Sequence, residues 1–212
     1  MSSAETLPRR LERLDLDLIE KFLVAGFMVV LAARLVPVVL ATGALPPLLL
    51  LLSEGVVVLF ILLRRSTRDI SRRGGDWLVG LAGTLLPLLA VAPSASPLLP
   101  IHLCEAVMIT GFALQFSAKM TLRRSFGVVA ANRGVKAGGP YRLVRHPMYA
   151  GYALTHIGFL LSGPTPWNLA IYGATLAIAV RRILAEERLL RADGAYRALA
   201  VKVRYRLLPG IF

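Results

Sequence analysis

The chain has 212 residues, of which 56% are hydrophobic and 17% are charged, and its formal net charge is +13. An apolar share of this size, with a mean hydropathy of +0.66, excludes an ordinary soluble domain and predicts an integral membrane protein with several helices. The positive charge does not indicate a nucleic-acid partner, because the basic residues lie in short segments between apolar blocks, where they set topology and contact membrane lipids.

The N-terminal half reads as a leader followed by membrane helices. Residues 1–21 have mixed charges and no signal-peptide pattern, so we expect a cytosolic leader. Residues 22–121 form the predicted N-terminal four-helix transmembrane part. Its four apolar spans are Phe22–Leu40, Leu45–Leu63, Trp77–Ala92 and Leu98–Ala118. Pro37 and Pro87 are expected to kink their helices.

Two further apolar stretches, Met148–Leu161 and Trp167–Val180, are separated by the turn residues 162–166. This spacing predicts a helical hairpin whose first arm is shorter than the ~20 residues that a full span needs. The predicted fold is therefore an all-α, polytopic transmembrane helical bundle of about five to six membrane helices. The last two helices form the hairpin, and a cytosolic C-terminal tail follows.

The loops carry a charge asymmetry. Arginines and lysines cluster after the second and fourth spans, whereas residues 41–44 and 92–100 have no charged side chain. The positive-inside rule then predicts a multi-pass protein with both termini in the cytoplasm, and the small size favours a bacterial inner membrane.

Two groups of polar residues lie inside the predicted spans. Arg34 and Glu54 would each cost roughly 2.5–3.5 kcal/mol alone at a helix centre, so we expect them to pair, with a substrate contact as the alternative. His102, Cys104 and Glu105 are too close together on one helix to surround a metal ion, and no metal site is predicted.

Residues 138–151 read GGPYRLVRHPMYAG and begin the region in which we expect chemistry. Pro147 suits the first position of a helix, and the free N–H groups of that helix start, beside His146, could bind a carboxylate or a ribose hydroxyl. Gly151 and Gly158 would allow a second helix to approach closely.

Arg182 and Glu186 lie after the hairpin's second arm and are four residues apart, so they share a helix face if the helix continues. A surface salt bridge is the simplest interpretation of that pair alone. The helix, however, emerges opposite the His146-Pro147 motif. A third motif lies near the C-terminus, at residues 203–209, and reads VRYRLLP.

Gly139–Gly151, Glu186–Glu187 and Arg204–Pro209, in this order and spacing, resemble the isoprenylcysteine carboxyl methyltransferases, whose wider group includes phospholipid N-methyltransferases. The resemblance covers residues 122–212 and makes this the predicted catalytic, S-adenosylmethionine-binding part. It does not extend to the first four spans.

The resemblance implies a cofactor pocket and an acceptor site. The positions that match cofactor-binding positions are Arg133, Gly134, Val135, Lys136, Tyr141, His146, Pro147, Met148, Tyr149 and Glu186. Arg182 matches the position that contacts the methyl acceptor and is the implied catalytic and substrate-binding residue. Relatives more often have apolar or hydroxyl residues at positions 133–136, so Arg133 and Lys136 depart from the pattern.

The residue chemistry is consistent with this cofactor. Tyr141 and Tyr149 can place aromatic faces against a sulfonium or an adenine, and Glu186 can bind an ammonium group. A soluble-type dinucleotide fold is not expected, since no Gly-x-Gly-x-x-Gly lies between a strand and a helix.

The predicted acceptor is a lipophilic molecule that enters from the bilayer. A carboxylate is favoured because Arg182 can hold it and it needs no general base. A phospholipid amine, a phenol and a thiol are alternative acceptors. An amine or a phenol would need a base such as Glu187 or His146. An NADPH-dependent membrane reductase of the sterol type and a non-enzymatic scaffold are the more distant alternatives.

Overall fold

The structure is a computed structural model that describes residues 6–42, 51, 55, 58–63, 70–91 and 96–212. In these residues the regular elements are helices, with short 3₁₀ turns and one isolated antiparallel bridge between Ile70 and Ala131. The predicted all-α class is confirmed for this part of the chain.

The first helix, α1, runs from Thr6 to Thr42 and contains Pro37. It is longer than the predicted span because the leader residues from Thr6 onward continue the same helix. Its stretch Leu18–Ala41 is long and apolar enough to cross a membrane. At about 1.5 Å per residue, these 24 residues exceed the ~30 Å hydrocarbon core.

The second predicted span is described only at residues 51, 55 and 58–63, which are helical. Glu54 lies outside the described residues, so its pairing with Arg34 stays a prediction. The third predicted span is helix α2, Gly74–Leu85, followed by a 3₁₀ turn over Leu86–Leu89. The α-helix ends before Pro87 because proline has no N–H to donate and its ring clashes with the preceding turn.

The predicted hairpin is confirmed. After α3, Ile101–Leu122, its two arms are α4, Pro147–Leu161, and α5, Pro166–Leu190. Both α3 and α5 are long and apolar enough to span a membrane, whereas α4 has only 15 residues. Helix α5 continues ten residues past the predicted arm, which brings Arg182 and Glu186 onto consecutive turns of one helix.

Buried polar side chains fix the turn of the hairpin. The Thr165 hydroxyl caps α5 by accepting a hydrogen bond from the Asn168 N–H at 3.1 Å. The Asn168 amide in turn bonds both the N–H and the carbonyl of Val91, each at 3.0 Å. The segment after α2 is therefore held against the start of α5.

Helices α3 and α4 approach each other at glycines, as the spacing of Gly151 and Gly158 predicts. A Cβ atom on Gly151 would lie 2.5 Å from the backbone nitrogen of Gln115, and one on Gly158 would lie 2.6 Å from Met108. Both distances are shorter than atoms tolerate, so any side chain at either position would push the two helices apart.

The last helix, α6, spans Gly194–Lys202, and the Asp193 carboxylate caps it by accepting from the Ala195 N–H. An extended tail then returns to the start of α4. The carbonyls of Tyr205 and Arg206 accept from the N–H groups of Arg145 and His146 at 2.9 and 2.8 Å. The tail thus closes one side of the region in which the predicted site residues meet.

Candidate active site

A partly open cavity lies where the start of α4, the end of α5, α6 and the segment after α3 come together. Its volume is about 730 Å³, part of it open to solvent. Nine of the ten predicted cofactor-binding residues line it: Arg133, Gly134, Val135, Lys136, Tyr141, His146, Met148, Tyr149 and Glu186. Positions from three separate parts of the sequence therefore converge.

Pro147, the tenth residue, is buried as the first residue of α4 and does not line the cavity. Its fixed φ begins the helix, as predicted. The N–H of His146, the residue before the helix, is donated to the Arg206 carbonyl at 2.8 Å and is not one of the free groups of the helix start. Met148 and Tyr149 stand at the second and third helical positions, where a helix supplies no acceptor for the backbone N–H.

Glu186 places its carboxylate at the cavity wall with a quarter of the side chain exposed. It accepts a hydrogen bond from the Tyr149 hydroxyl, and His146 Nδ1 lies 3.7 Å away. Tyr141 lines the same wall; burial raises the pKa of its phenol, and the Glu186 charge raises it further. Tyr141 therefore stays protonated at neutral pH and presents a neutral ring beside the Glu186 side chain.

Arg182 lies behind Tyr149 rather than in the cavity wall. The residue is 8% exposed, its Nη2 donates to the Val128 carbonyl at 3.0 Å, and its Cζ is 5.3 Å from the centre of the Tyr149 ring. The two residues do not form a surface salt bridge, because Glu186 accepts a hydrogen bond from Tyr149 and Arg182 is buried. The Arg182 Nε has no hydrogen-bond partner within the described residues.

The segment between α3 and α4 forms the opposite wall, and its conformation depends on α1. The Glu20 carboxylate, 2% exposed, accepts from the N–H groups of Val128 and Val129 at 2.6 and 3.1 Å. Its other oxygen pairs with Arg133 at 3.1 Å. The Arg133 guanidinium also donates to the Val129 carbonyl at 3.3 Å, so it is engaged with the protein as well as lining the cavity.

Glu187, which the sequence marked only beside Glu186 and as a possible base, has a further role in the structure. Only 2% of its side chain is exposed, and its carboxylate contacts Arg145 at 3.1 Å, His146 at 3.3 Å and Arg206 at 3.0 Å. It joins α5 to the start of α4 and to the tail. The sequence carried one indication of this role. Glu187 directly follows Glu186, and successive helical residues point about 100° apart, so the two carboxylates cannot face the same partner.

Helix α6 contributes an aromatic and an apolar side chain to the cavity wall, and the sequence did not predict them. Tyr196 and Leu199 line the cavity although no motif marks them. Burial raises the pKa of the Tyr196 phenol, and the nearby Glu187 carboxylate raises it further, so the ring stays neutral. Among the described residues, the cavity lining therefore combines aromatic and apolar side chains with three basic ones, Arg133, Lys136 and Arg145, and one acidic one, Glu186.

A group of three metal-binding side chains is not found among the described residues. Cys104 is buried, whereas His102 and Glu105 on the same helix are exposed. These three side chains thus point to different environments.

Comparison with known proteins links the chain to membrane methyltransferases. Residues 101–193, a little under half of the chain, match the model of the phospholipid methyltransferase family. No curated protein sequence matches the chain. The structure of the eukaryotic intramembrane Ras methyltransferase ICMT, isoprenylcysteine carboxyl methyltransferase, is similar at 17% identity and a TM-score of 0.47, over 100% of this chain and 87% of that one. A likeness at that score does not establish a shared fold.

The matched stretch contains α3, the hairpin and nearly all the residues that line the cavity. Over this stretch the chain is similar to the phospholipid methyltransferase family, which confirms the resemblance to integral membrane methyltransferases that its motifs predicted.

Proposed function

We propose that the chain is an S-adenosylmethionine-dependent methyltransferase that acts on a lipophilic carboxylate delivered from the bilayer, such as that of a prenylated cysteine. The supporting observation is the convergence of Tyr141, His146, Tyr149 and Glu186 on one cavity. A carboxylate for an ammonium group and aromatic faces for a sulfonium or a purine are the groups that this cofactor requires.

In this proposal each wall of the cavity has a task. Glu186 binds the cofactor's α-ammonium, and Tyr149 holds the Glu186 carboxylate in place through its hydroxyl. Tyr141 and Tyr196 exclude water and contact the adenine or the sulfonium. When bound, S-adenosylmethionine supplies an electrophilic methyl group; the protein orients the acceptor and desolvates it.

The acceptor class follows from Arg182. This arginine makes no ion pair with a described residue, and its Nε is buried without a partner. A buried cation of this kind favours an anionic ligand, and a guanidinium can hold a carboxylate through two donors. A phospholipid ammonium would instead meet a like charge. An amine acceptor would also need a base, and Glu187 is already bound to three basic side chains.

Binding of labelled S-adenosylmethionine to the detergent-purified full chain tests the cofactor. Glu186→Gln should weaken binding on the order of 10- to 100-fold, as expected for losing a hydrogen bond to a charged group. Glu105→Gln, an exposed acid on α3, is the matched control and should bind as the unmodified chain does. Absence of saturable binding to the unmodified chain would refute the proposed function.

Methyl incorporation tests the acceptor. A prenylated cysteine with a free carboxylate should be methylated, and its carboxamide should not, because the amide has no charge for Arg182. Methylation of phosphatidylethanolamine in preference to the carboxylate would contradict the assigned acceptor class.

We further propose that both termini and the cavity face the cytoplasm, the side on which water-soluble cofactors are made. Cysteines introduced at exposed Arg142 and Ser96, in a chain with Cys104→Ala, report on this arrangement. The position-142 cysteine should react with an impermeant thiol reagent only in inverted vesicles, and the position-96 cysteine only from the opposite side. The reverse pattern would show that the positive-inside assignment is wrong.

A further inference from the structure

Glu20 stands on α1, outside the stretch that matches the family model, yet its carboxylate is among the most buried in the described chain. One oxygen accepts from the N–H groups of Val128 and Val129, and the other pairs with Arg133. Hydrogen bonds from backbone N–H groups to a carboxylate are charge-assisted and therefore stronger than neutral ones. This one side chain thus fixes the segment 127–133 from the side of the N-terminal helix.

The peptide group between Val128 and Val129 is bound on both sides. In a trans peptide the carbonyl of one residue and the N–H of the next point in opposite directions. The Val129 N–H points to Glu20 at 3.1 Å, and the Val128 carbonyl accepts from Arg182 Nη2 at 3.0 Å. The chain of contacts runs from an acid on α1, through one peptide, to the buried arginine on α5.

The same segment also borders the cavity. Gly127, Val129 and Arg133 line it. A Cβ atom on Gly127 would lie 2.1 Å from the Arg133 guanidinium, and one on Gly80 of α2 would lie 2.9 Å from the Val128 carbonyl. The segment is therefore confined between α1, α2 and α5, so its position depends on the groups that bind it.

We infer that Glu20 is a positioning residue of the active site: through the Val128–Val129 peptide it fixes the Arg182 guanidinium for the methyl acceptor, and through Arg133 it fixes one wall of the cofactor cavity. This inference rests on the proposed function. It assigns α1 a part in turnover beyond anchoring the chain in the membrane. Hydrogen bonds in series polarise one another, so loss of the Glu20 charge weakens the bond at the far end of the peptide.

Kinetics of the detergent-purified full chain, with a prenylated cysteine carboxylate as acceptor, test the inference. Glu20→Ala should lower kcat/KM for the acceptor on the order of 10- to 100-fold at saturating cofactor, since it removes charged hydrogen bonds. Glu20→Gln keeps an oxygen for the two N–H groups but loses the charge, so it should recover only part of this loss. Glu105→Ala removes an exposed acid that lies 17 residues from the cavity end of α3, about 25 Å along the helix, and should leave kcat/KM unchanged.

A double-mutant cycle separates positioning from a general effect on folding. If Glu20 acts through Arg182, the penalty of Glu20→Gln should shrink at least severalfold in an Arg182→Lys background, because lysine lacks the guanidinium fork. This comparison uses the mild variant, so it remains available if Glu20→Ala does not fold. Equal penalties in both backgrounds, or wild-type kcat/KM in folded Glu20→Ala, would overturn the inference while leaving the proposed function intact. An unmodified chain that neither binds the cofactor nor transfers methyl groups would overturn both.

Discussion

Replacement of Glu187 by alanine should destabilise the protein strongly. The side chain is 2% exposed, and its two oxygens contact three basic groups at 3.0–3.3 Å. Removing one partner of a buried ion pair costs about 3–5 kcal/mol because the other charge loses both its partner and its hydration. Arg206 is 24% exposed and can regain some water. We therefore expect a loss near 3 kcal/mol, the lower end of that range.

The same carboxylate offers a matched control within its own network. Arg191 approaches Glu187 at 3.7 Å, but its side chain is 66% exposed. An exposed pair of this kind contributes ~0–1 kcal/mol, so Arg191→Ala should have little effect. Glu187→Gln should fall between the two, because the amide keeps one oxygen acceptor but loses the negative charge.

Unfolding by a denaturing detergent, followed by the tryptophan fluorescence of the full chain, measures these differences. Limited proteolysis adds a local measurement, since loss of Glu187 should release the tail from Arg145 and His146 before the helices unfold. If Glu187→Ala and Arg191→Ala unfold at the same detergent concentration, the buried cluster does not stabilise the site as argued.

Three further outcomes are expected. Gly151→Ala should destabilise the α3–α4 contact by about 1–3 kcal/mol through overpacking. Gly173→Ala is the control, because nothing lies within 4 Å of its added Cβ, and it should not destabilise the protein. Equal unfolding midpoints for the two variants would refute the close approach. Arg182→Ala should keep the cofactor affinity of the unmodified chain and lose turnover, measured by calorimetry and by methyl incorporation; unchanged turnover would remove its assigned role. Asn168→Leu should cost about 1–3 kcal/mol because it removes both hydrogen bonds that the buried Asn168 amide makes with the Val91 backbone, and thermal unfolding that matches the unmodified chain would contradict this.

The membrane helices and the cavity residues were accessible from sequence for a physical reason. Long apolar blocks have few alternatives to a spanning helix, and the hairpin is punctuated by prolines at 164 and 166. The motif that contains Tyr141, His146 and Tyr149 is local, so its residues are brought together by the start of one helix. Glu186 needed only the continuation of α5.

Glu20 could not be found in this way. It lies 108 residues before Val128, the nearest of its backbone partners, and an acid at the edge of an apolar block reads as the end of a span. The split between Glu186 and Glu187 was hidden for a different reason. Two adjacent acids look equivalent in sequence, and only the packing of α5 against the tail and the start of α4 decides that one faces the cavity and the other faces three basic side chains.

The shortness of α4 has a consequence for the surrounding lipid. Its 15 residues extend about 22 Å, some 8 Å less than the ~30 Å hydrocarbon layer. The bilayer beside this arm must become thinner, or headgroups and water must move towards the ends of the helix. Either adjustment has a modest free-energy cost for each ångström of mismatch. This local thinning would lower the barrier for a lipid-borne group to reach the protein interior. Lipids with acyl chains of different length would then change the turnover without contacting a catalytic side chain.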